Sequence, residues 1–246
     1  MSAGEFRDAI RIRFGLPPTN LPKKCDGCGC KFSVGHAMKC GKGGLVILRH
    51  NEVASEWADL CATALSLTAV TIEPSIHNDQ TAREAAANAR SREPNGNAVP
   101  ADARADVGVR NFWSRQQTAL FDVRVVDTNQ PSYASREPSK VLKSHEQTKK
   151  KKYLEVCKET RRSFTPLVFS VDGLPSSETS AATKRLASHL SRKWGRQYSE
   201  VCGYVRSRLQ LSLVRSSHVC LRGERHKQEV HSRPSWVGGA GLSLAS

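Results

Sequence analysis

The 246-residue chain predicts an α/β (α+β) fold, a small mixed sheet flanked by helices in αβββαβ order, with a small Cys/His module in front of it. Three observations predict it. Apolar residues recur at helical spacing on either side of several short β-branched runs. The segment TALFDVRVVD alternates with period two, whereas FTPLVFSVDG is almost continuously apolar, as a strand buried on both faces should be. Finally, Cys25, Cys28, His36 and Cys40 stand together in one short run, CDGCGCKFSVGHAMKC.

Taken in order, GEFRDAIRIRF reads as a short helix and GLPPTNLP as a Pro-rich link into the Cys/His run. The C-x2-C-x7-H-x3-C spacing is what one tetrahedral zinc ion needs from a single loop. Gly27 lets the backbone double back between Cys25 and Cys28, and His36 and Cys40 lie one helical turn apart. A disulfide cluster is the weaker alternative, because MSAGEFRDAIRIRF is charged throughout and has no apolar core of a secretory leader. Free buried thiols are the main competitor, and Cys30 is a spare able to replace Cys28. Cys61, Cys157, Cys202 and Cys220 fall singly inside apolar stretches and are expected to pack in the core.

Past the Cys/His run, Val53, Trp57, Leu60 and Ala64 define an amphipathic helix over 50–65, and AVTIE at 69–73 a short strand halted by Pro74. The polar stretch 77–104, with Pro94, Gly96 and Pro100, reads as a long loop. DVGVR, opened by Asp106, is the next strand. In 118–127, Phe121, Val123 and Val125 share one face, and Leu120, Asp122, Arg124 and Val126 the other. A lysine-rich helix over 140–161 carries Val141, Leu142, Tyr153, Leu154 and Cys157, and the buried strand 164–173 ends in a Gly turn. Helices follow over 179–194 (Ala182, Leu186, Leu190, Trp194) and 198–221 (Val201, Val205, Leu209, Leu213). From Gly223 no period remains, and a disordered tail is expected. The organisation expected is a module over 1–44, a main domain over 45–222 and the tail over 223–246.

Lysine and arginine total 38 against 23 acidic residues, a net charge of +15 and a pI near 9.8. That balance points to a polyanion, and with a zinc loop beside it to nucleic acid. No apolar run reaches the ~18 residues of a membrane span. Asp106 and Asp122 begin and interrupt neighbouring strands, so their carboxylates are placed to converge, and a pair of hard oxygen ligands is what Mg²⁺ needs beside a scissile phosphate. Glu52 is a candidate third carboxylate, with His50 and Arg49 beside it as phosphate contacts. Arg124 shares the strand face of Asp122 and can stabilise charge without acting as a base. Lys149, Lys150, Lys151 and Lys152, just before Tyr153, offer an ammonium to the same site. The bland alternatives are turn aspartates, a solvated lysine face and a merely packed Tyr153. Trp57, Trp113 and Trp194 are expected in the core or at subdomain contacts, with Trp113 placed between the two acids where DNA contact is the other reading.

The Cys/Cys/His/Cys module, RHNE at 49–52, RAD at 104–106, FDVRV at 121–125 and the lysine run ending in KY at 152–153 resemble the C-terminal part of non-LTR retrotransposon polyproteins of the restriction-like endonuclease type. That domain belongs to the PD-(D/E)XK nuclease superfamily, and the resemblance covers roughly 20–175. It implies a restriction-endonuclease-like fold and a Mg²⁺- or Mn²⁺-dependent nicking of target DNA by phosphodiester hydrolysis. It also implies Asp106 and Asp122 as metal ligands, and Lys150 with Tyr153 as the catalytic lysine and its neighbour. Ala105 stands where the motif has proline, Arg124 where the superfamily's common lysine stands, and the zinc spacing is slightly short. Double-stranded DNA, RNA and the reverse transcriptase of the same element are the partners implied, in the nucleus and away from membranes. No YxDD-like motif occurs, so a truncated copy lacking the reverse transcriptase is expected, with a noncatalytic zinc-dependent nucleic-acid-binding remnant as the alternative.

Overall fold

The computed structural model describes residues 1–77 and 99–225. Its elements run α1 (Ala3–Arg13), α2 (Val34–Ala37), α3 (Leu45–Ala64), β1 (Val70–Ile72), β2 (Val107–Arg110), β3 (Thr118–Val126), α4 (Pro138–Glu159), β4 (Ser163–Ser170), α5 (Ser177–Trp194) and α6 (Tyr198–Arg222). From α3 to β4 this is the expected succession of helix, three strands, helix and strand. The loop expected over 77–104 falls mostly outside the described residues, as does the tail beyond Arg225.

The sheet is mixed, in the order β1-β2-β3-β4. β1, β2 and β3 form an antiparallel meander, with Val107 opposite Phe121 and Val109 opposite Ala119. β4 returns parallel to β3, with Asp122 opposite Pro166, because the intervening α4 crosses over one face of the sheet. Period-two alternation in β3 then feeds two layers. Phe121 and Val123 join Trp57, Leu60, Leu186, Leu190, Val205 and Leu209 in the core made with α3, α5 and α6. Leu120 packs with Cys157 and Phe164, and Val126 with Val141, Leu142 and Val168, beneath α4. Trp57 is fully buried, its ring centroid 5.2 Å from Phe121 and 5.9 Å from Phe112. Cys61, Cys157, Cys202 and Cys220 are all buried, as their apolar surroundings in the sequence require.

Helix α3 starts at Leu45 rather than near 50. Gly43 and Gly44, at φ 69° and 68°, turn the chain into it through the left-handed region. Ile47 and Leu48 are exposed, which hides that first turn from a periodicity argument. Pro138 opens α4, where a missing amide hydrogen costs nothing. The α1 helix carries a Ser2–Glu5 capping box and is stapled to α6 by buried Asp8, which meets Arg222 at 2.8 Å and His218 at 2.9 Å. The Arg222 hydrogen bond, with its charge, holds the Asp8 carboxyl below the usual carboxylate range.

The Cys/His loop packs onto this body. Cys25, Phe32, Met38 and Cys40 share one apolar cluster with Leu45, Val171, Cys220 and Leu221, so the sequence boundary at 44/45 runs through a common core. Among the described residues no helix is long and apolar enough to cross a membrane.

Candidate functional site

Two sites emerge, and the first is the Cys/His loop. The turn after Cys25 closes where Gly29 donates to the Cys25 carbonyl at 2.9 Å and Cys25 to that of Cys30 at 2.9 Å. A bridge between Lys24 and Lys31 seals its base, and Gly29, at φ 73°, supplies the left-handed residue the reversal requires. Ser33 caps α2 by accepting from His36 N at 3.1 Å, and the Cys40 amide donates to His36 O at 2.9 Å, which puts the imidazole and the Cys40 thiol on one side of a single turn. The four ligand atoms of Cys25, Cys28, His36 and Cys40 all lie within 4.8 Å of one another.

Zinc fits this donor set. Zn–S bonds of about 2.3 Å at tetrahedral angles place sulfurs about 3.8 Å apart. The observed separations are 3.9 Å for Cys25–Cys40, 4.0 Å for Cys28–Cys40 and 3.4 Å for Cys28 Sγ to His36 Nε2. Burial works against ionising Cys25, yet hydrogen bonding with His36 and with the Cys28 and Gly27 amides outweighs it and draws the thiol down to about 6. Burial, helped by the neighbouring Cys25 and Cys28, pushes Cys40 up instead. One thiolate forms readily and the next resists, which is the behaviour of a cluster that needs a cation to ionise completely. Cys30 is exposed and outside the group.

The second site lies between the sheet and two helices, near the start of β2. His50 of α3 reaches Asp106, just ahead of β2, with Nε2 3.0 Å from Oδ1. The other Asp106 oxygen accepts from the Val123 amide at 2.6 Å, so backbone and imidazole together fix the carboxylate. Asp122, in the middle of β3 and only 7% exposed, meets the Lys149 ammonium of α4, 3.1 Å from Oδ1 and 2.8 Å from Oδ2. Although that close, Oδ2 lies off the hydrogen-bonding directions of Lys149 and has no hydrogen-bond partner. Burial pushes the Asp122 carboxyl above its ordinary value; Lys149 pulls it down without prevailing, and the charge of Asp106 adds to the rise. Burial opposes charge on His50 too, but the hydrogen bond and charge of Asp106, with the charge of Asp122, raise its pKa. Asp106, Asp122, His50 and Lys149 thus act on one another electrostatically.

The remaining sequence candidates divide. Lys150 does not reach the acids: its ammonium is 2.5 Å from Glu178 of α5, and Lys149 is the lysine paired with Asp122. The reason is helical phase. Lys149 stands seven residues after buried Leu142 and four before Tyr153, on the face of α4 turned to the sheet. Tyr153 packs its ring 5.4 Å from Phe164 and carries Lys149 and Lys152 over it at 5.7 and 5.0 Å. Arg124 is exposed on the strand face it shares with Asp122. Glu52 is exposed and about 200° around α3 from His50, so the helix turns it away from the acids, and it joins no ligand group among the described residues. His50 and Arg49 also differ from expectation: one holds an acid and the other is buried, where both were candidate phosphate contacts. Trp113 donates from Nε1 to Thr165 at 3.0 Å, and Trp194 is 38% exposed beside Tyr204.

Asp106 and Asp122 are hard oxygen donors, and one Asp122 oxygen is buried without a hydrogen-bond partner; among the described residues the one group of three or more ligating side chains is the Cys/His loop. The Lys149 ammonium already neutralises part of the Asp122 charge. No protein-family model and no curated protein matches this chain.

Proposed function

We propose that the chain is a divalent-metal-dependent DNA endonuclease of the restriction-like type found in non-LTR retrotransposons, with a structural zinc in its N-terminal loop. The carrying observation is that Asp106, just ahead of β2, and Asp122, in β3, lie close enough to act on one another electrostatically, with Lys149 of the crossover helix paired to Asp122. Supporting it are the helix–three strands–helix–strand order and the net charge of +15.

Each residue has a task in this reading. Asp106 and Asp122 would hold Mg²⁺ or Mn²⁺, which would supply polarisation of the phosphate and a water of lowered pKa. The Val123 amide keeps the Asp106 carboxylate aimed. Lys149, beside Asp122, is placed to stabilise negative charge that builds on the phosphate. Exposed Arg124, on the same strand face, contacts the phosphate backbone, and Tyr153 shelves the Lys149 side chain.

One feature of the site favours a second reading, a noncatalytic nucleic-acid-binding remnant. Both acids already have a side-chain partner, His50 on Asp106 and Lys149 on Asp122, and Glu52 points away, so a metal would have to compete with them. Supercoiled plasmid incubated with Mg²⁺ or Mn²⁺ separates the two. The parent should nick it while Asp122→Ala reduces nicking at least a thousandfold, a loss of ~4 kcal/mol of transition-state stabilisation, and still retards DNA on a gel. Retardation without nicking by the parent, zinc-loaded, establishes the remnant.

A further inference from the structure

His50 points to the acid site; Arg49, one residue earlier on α3, points to the metal loop. Arg49 is 3% exposed; among the described residues its guanidinium donates only to Met38, from one Nη to the thioether at 3.2 Å and from the other to the carbonyl at 3.1 Å, while the Asp127 carboxylate acts on it through charge without a hydrogen bond. Its Nε has no partner. Met38, itself buried, sits between the loop ligands His36 and Cys40. Desolvating a guanidinium is costly, and neutral acceptors recover less of that cost than a carboxylate does. Stability alone is a poor reason for such a contact, whereas position is a good one. The α3 helix supplies the need: its N-cap is Gly44, which offers no side chain to the first turn. That turn is held on two sides, by α6, where Cys220 meets the Leu45 carbonyl, and by the metal loop, through Arg49 and through Leu45, which packs in the same cluster as Cys25 and Cys40.

We propose that Arg49 is a positioning residue that ties His50, and with it Asp106, to the metal loop, so that filling the Cys25/Cys28/His36/Cys40 centre with zinc organises the acid site. The path is short and physical. Zinc fixes His36 and Cys40, the turn between them fixes the Met38 carbonyl, Arg49 reads that carbonyl, and the next residue presents Nε2 to Asp106. Asp106 keeps its Val123 hydrogen bond whatever the loop does, so an empty loop loosens one carboxylate oxygen without dismantling the sheet. The inference rests on the zinc reading and gives the proposed nuclease site a form of regulation.

Coupling of this kind is reciprocal: a change at the acid site must alter zinc affinity as much as zinc alters the acid site. Zinc affinity is measured on the full chain by competition with a chromophoric chelator. Arg49→Met should bind zinc about tenfold more weakly, and His50→Gln more weakly by a smaller factor. Thr179→Val, which disturbs the β4–α5 junction instead, should leave the affinity unchanged. The ¹⁵N signals of the His50 ring, which report its hydrogen bond to Asp106, should take in zinc-loaded Arg49→Met the form they take in the parent stripped of zinc. Parental zinc affinity in either Arg49→Met or His50→Gln overturns the proposal, and His50→Gln, changed at a half-exposed side chain, decides it alone if Arg49→Met fails to fold. No cleavage is read, so a protein that never nicks DNA leaves this test intact.

Discussion

Asp122 and His50 bind their protons more tightly in the folded chain than in the unfolded one, and both therefore make the site weaken as pH rises. For Asp122, raised by burial, the loss begins at the ordinary carboxylate value of ~3.9 and is complete above the folded pKa. For His50, raised by Asp106 against the pull of burial, the contribution is whole below ~6.5 and is lost as pH climbs through the folded pKa. With a 35% exposed side chain, His50 is partly screened and carries the smaller share. Denaturant unfolding of zinc-saturated protein across a pH series checks this. Asp122→Asn should flatten the lower window and be at least as stable as the parent at neutral pH, while His50→Gln flattens only the upper one; a neutral-pH loss of stability in Asp122→Asn would sink the account. That 106 and 122 come near one another was readable, because the spacing of the strands brings residue 106, just ahead of β2, beside β3. The lysine was not, since four consecutive lysines look alike until the helix phase is fixed; Leu142 and Tyr153 carried that signal and select Lys149.

Period and punctuation made the elements legible: alternation in β3, the continuous apolar run of β4, Pro74 after β1, and four-residue spacing in α5 and α6. Less legible is how β4, an edge strand, is protected, since this depends on hydroxyls rather than hydrophobic pattern. The chain doubles back along it, with the Ser170 amide donating to the Leu174 carbonyl at 2.9 Å and the Ser176 amide to that of Val168 at 2.9 Å. Fully buried Thr179, in the first turn of α5, accepts from the Val168 amide at 2.8 Å and lies 3.1 Å from its carbonyl. Glu146 of α4 completes the junction by accepting from the Glu178 amide at 2.8 Å and from Ser177 at 3.1 Å. The edge is thus closed to pairing with another chain. Thr179→Val keeps the shape and removes the hydroxyl, leaving a buried amide unpaired at a cost of about 1–3 kcal/mol. Thermal unfolding should show Tm lower by roughly 2–10 °C; an unchanged Tm means that water or a shifted backbone satisfies Val168 instead.

At the scale of the whole molecule, the excess of positive charge was plain from composition, while its placement and the docking of the Cys/His loop were not. Leu45 and Cys220 pack together across 175 positions, and no local pattern announces a contact of that separation. The same holds for the lysines of α4: the fold decides that Lys149 is spent on Asp122 and Lys150 on Glu178, leaving Lys151 and Lys152 exposed. If duplex DNA lies across the acid site, Lys152, about 60° around α4 from Lys149, stands next to its phosphates, whereas Lys151, about 200° around, is turned away. Counterion release then gives a sharp expectation. Log affinity should fall linearly with log salt, by about 0.9 for each phosphate neutralised, and Lys152→Gln should lower that slope by about 1 while affinity drops across unrelated sequences alike, with Lys151→Gln changing it less. Fluorescence anisotropy of a labelled duplex over a salt series measures both. A slope that is steep but indifferent to Lys152 would place the phosphate-binding face elsewhere, with the arginines of α5 and α6, and would separate DNA binding from the site built by Asp106 and Asp122.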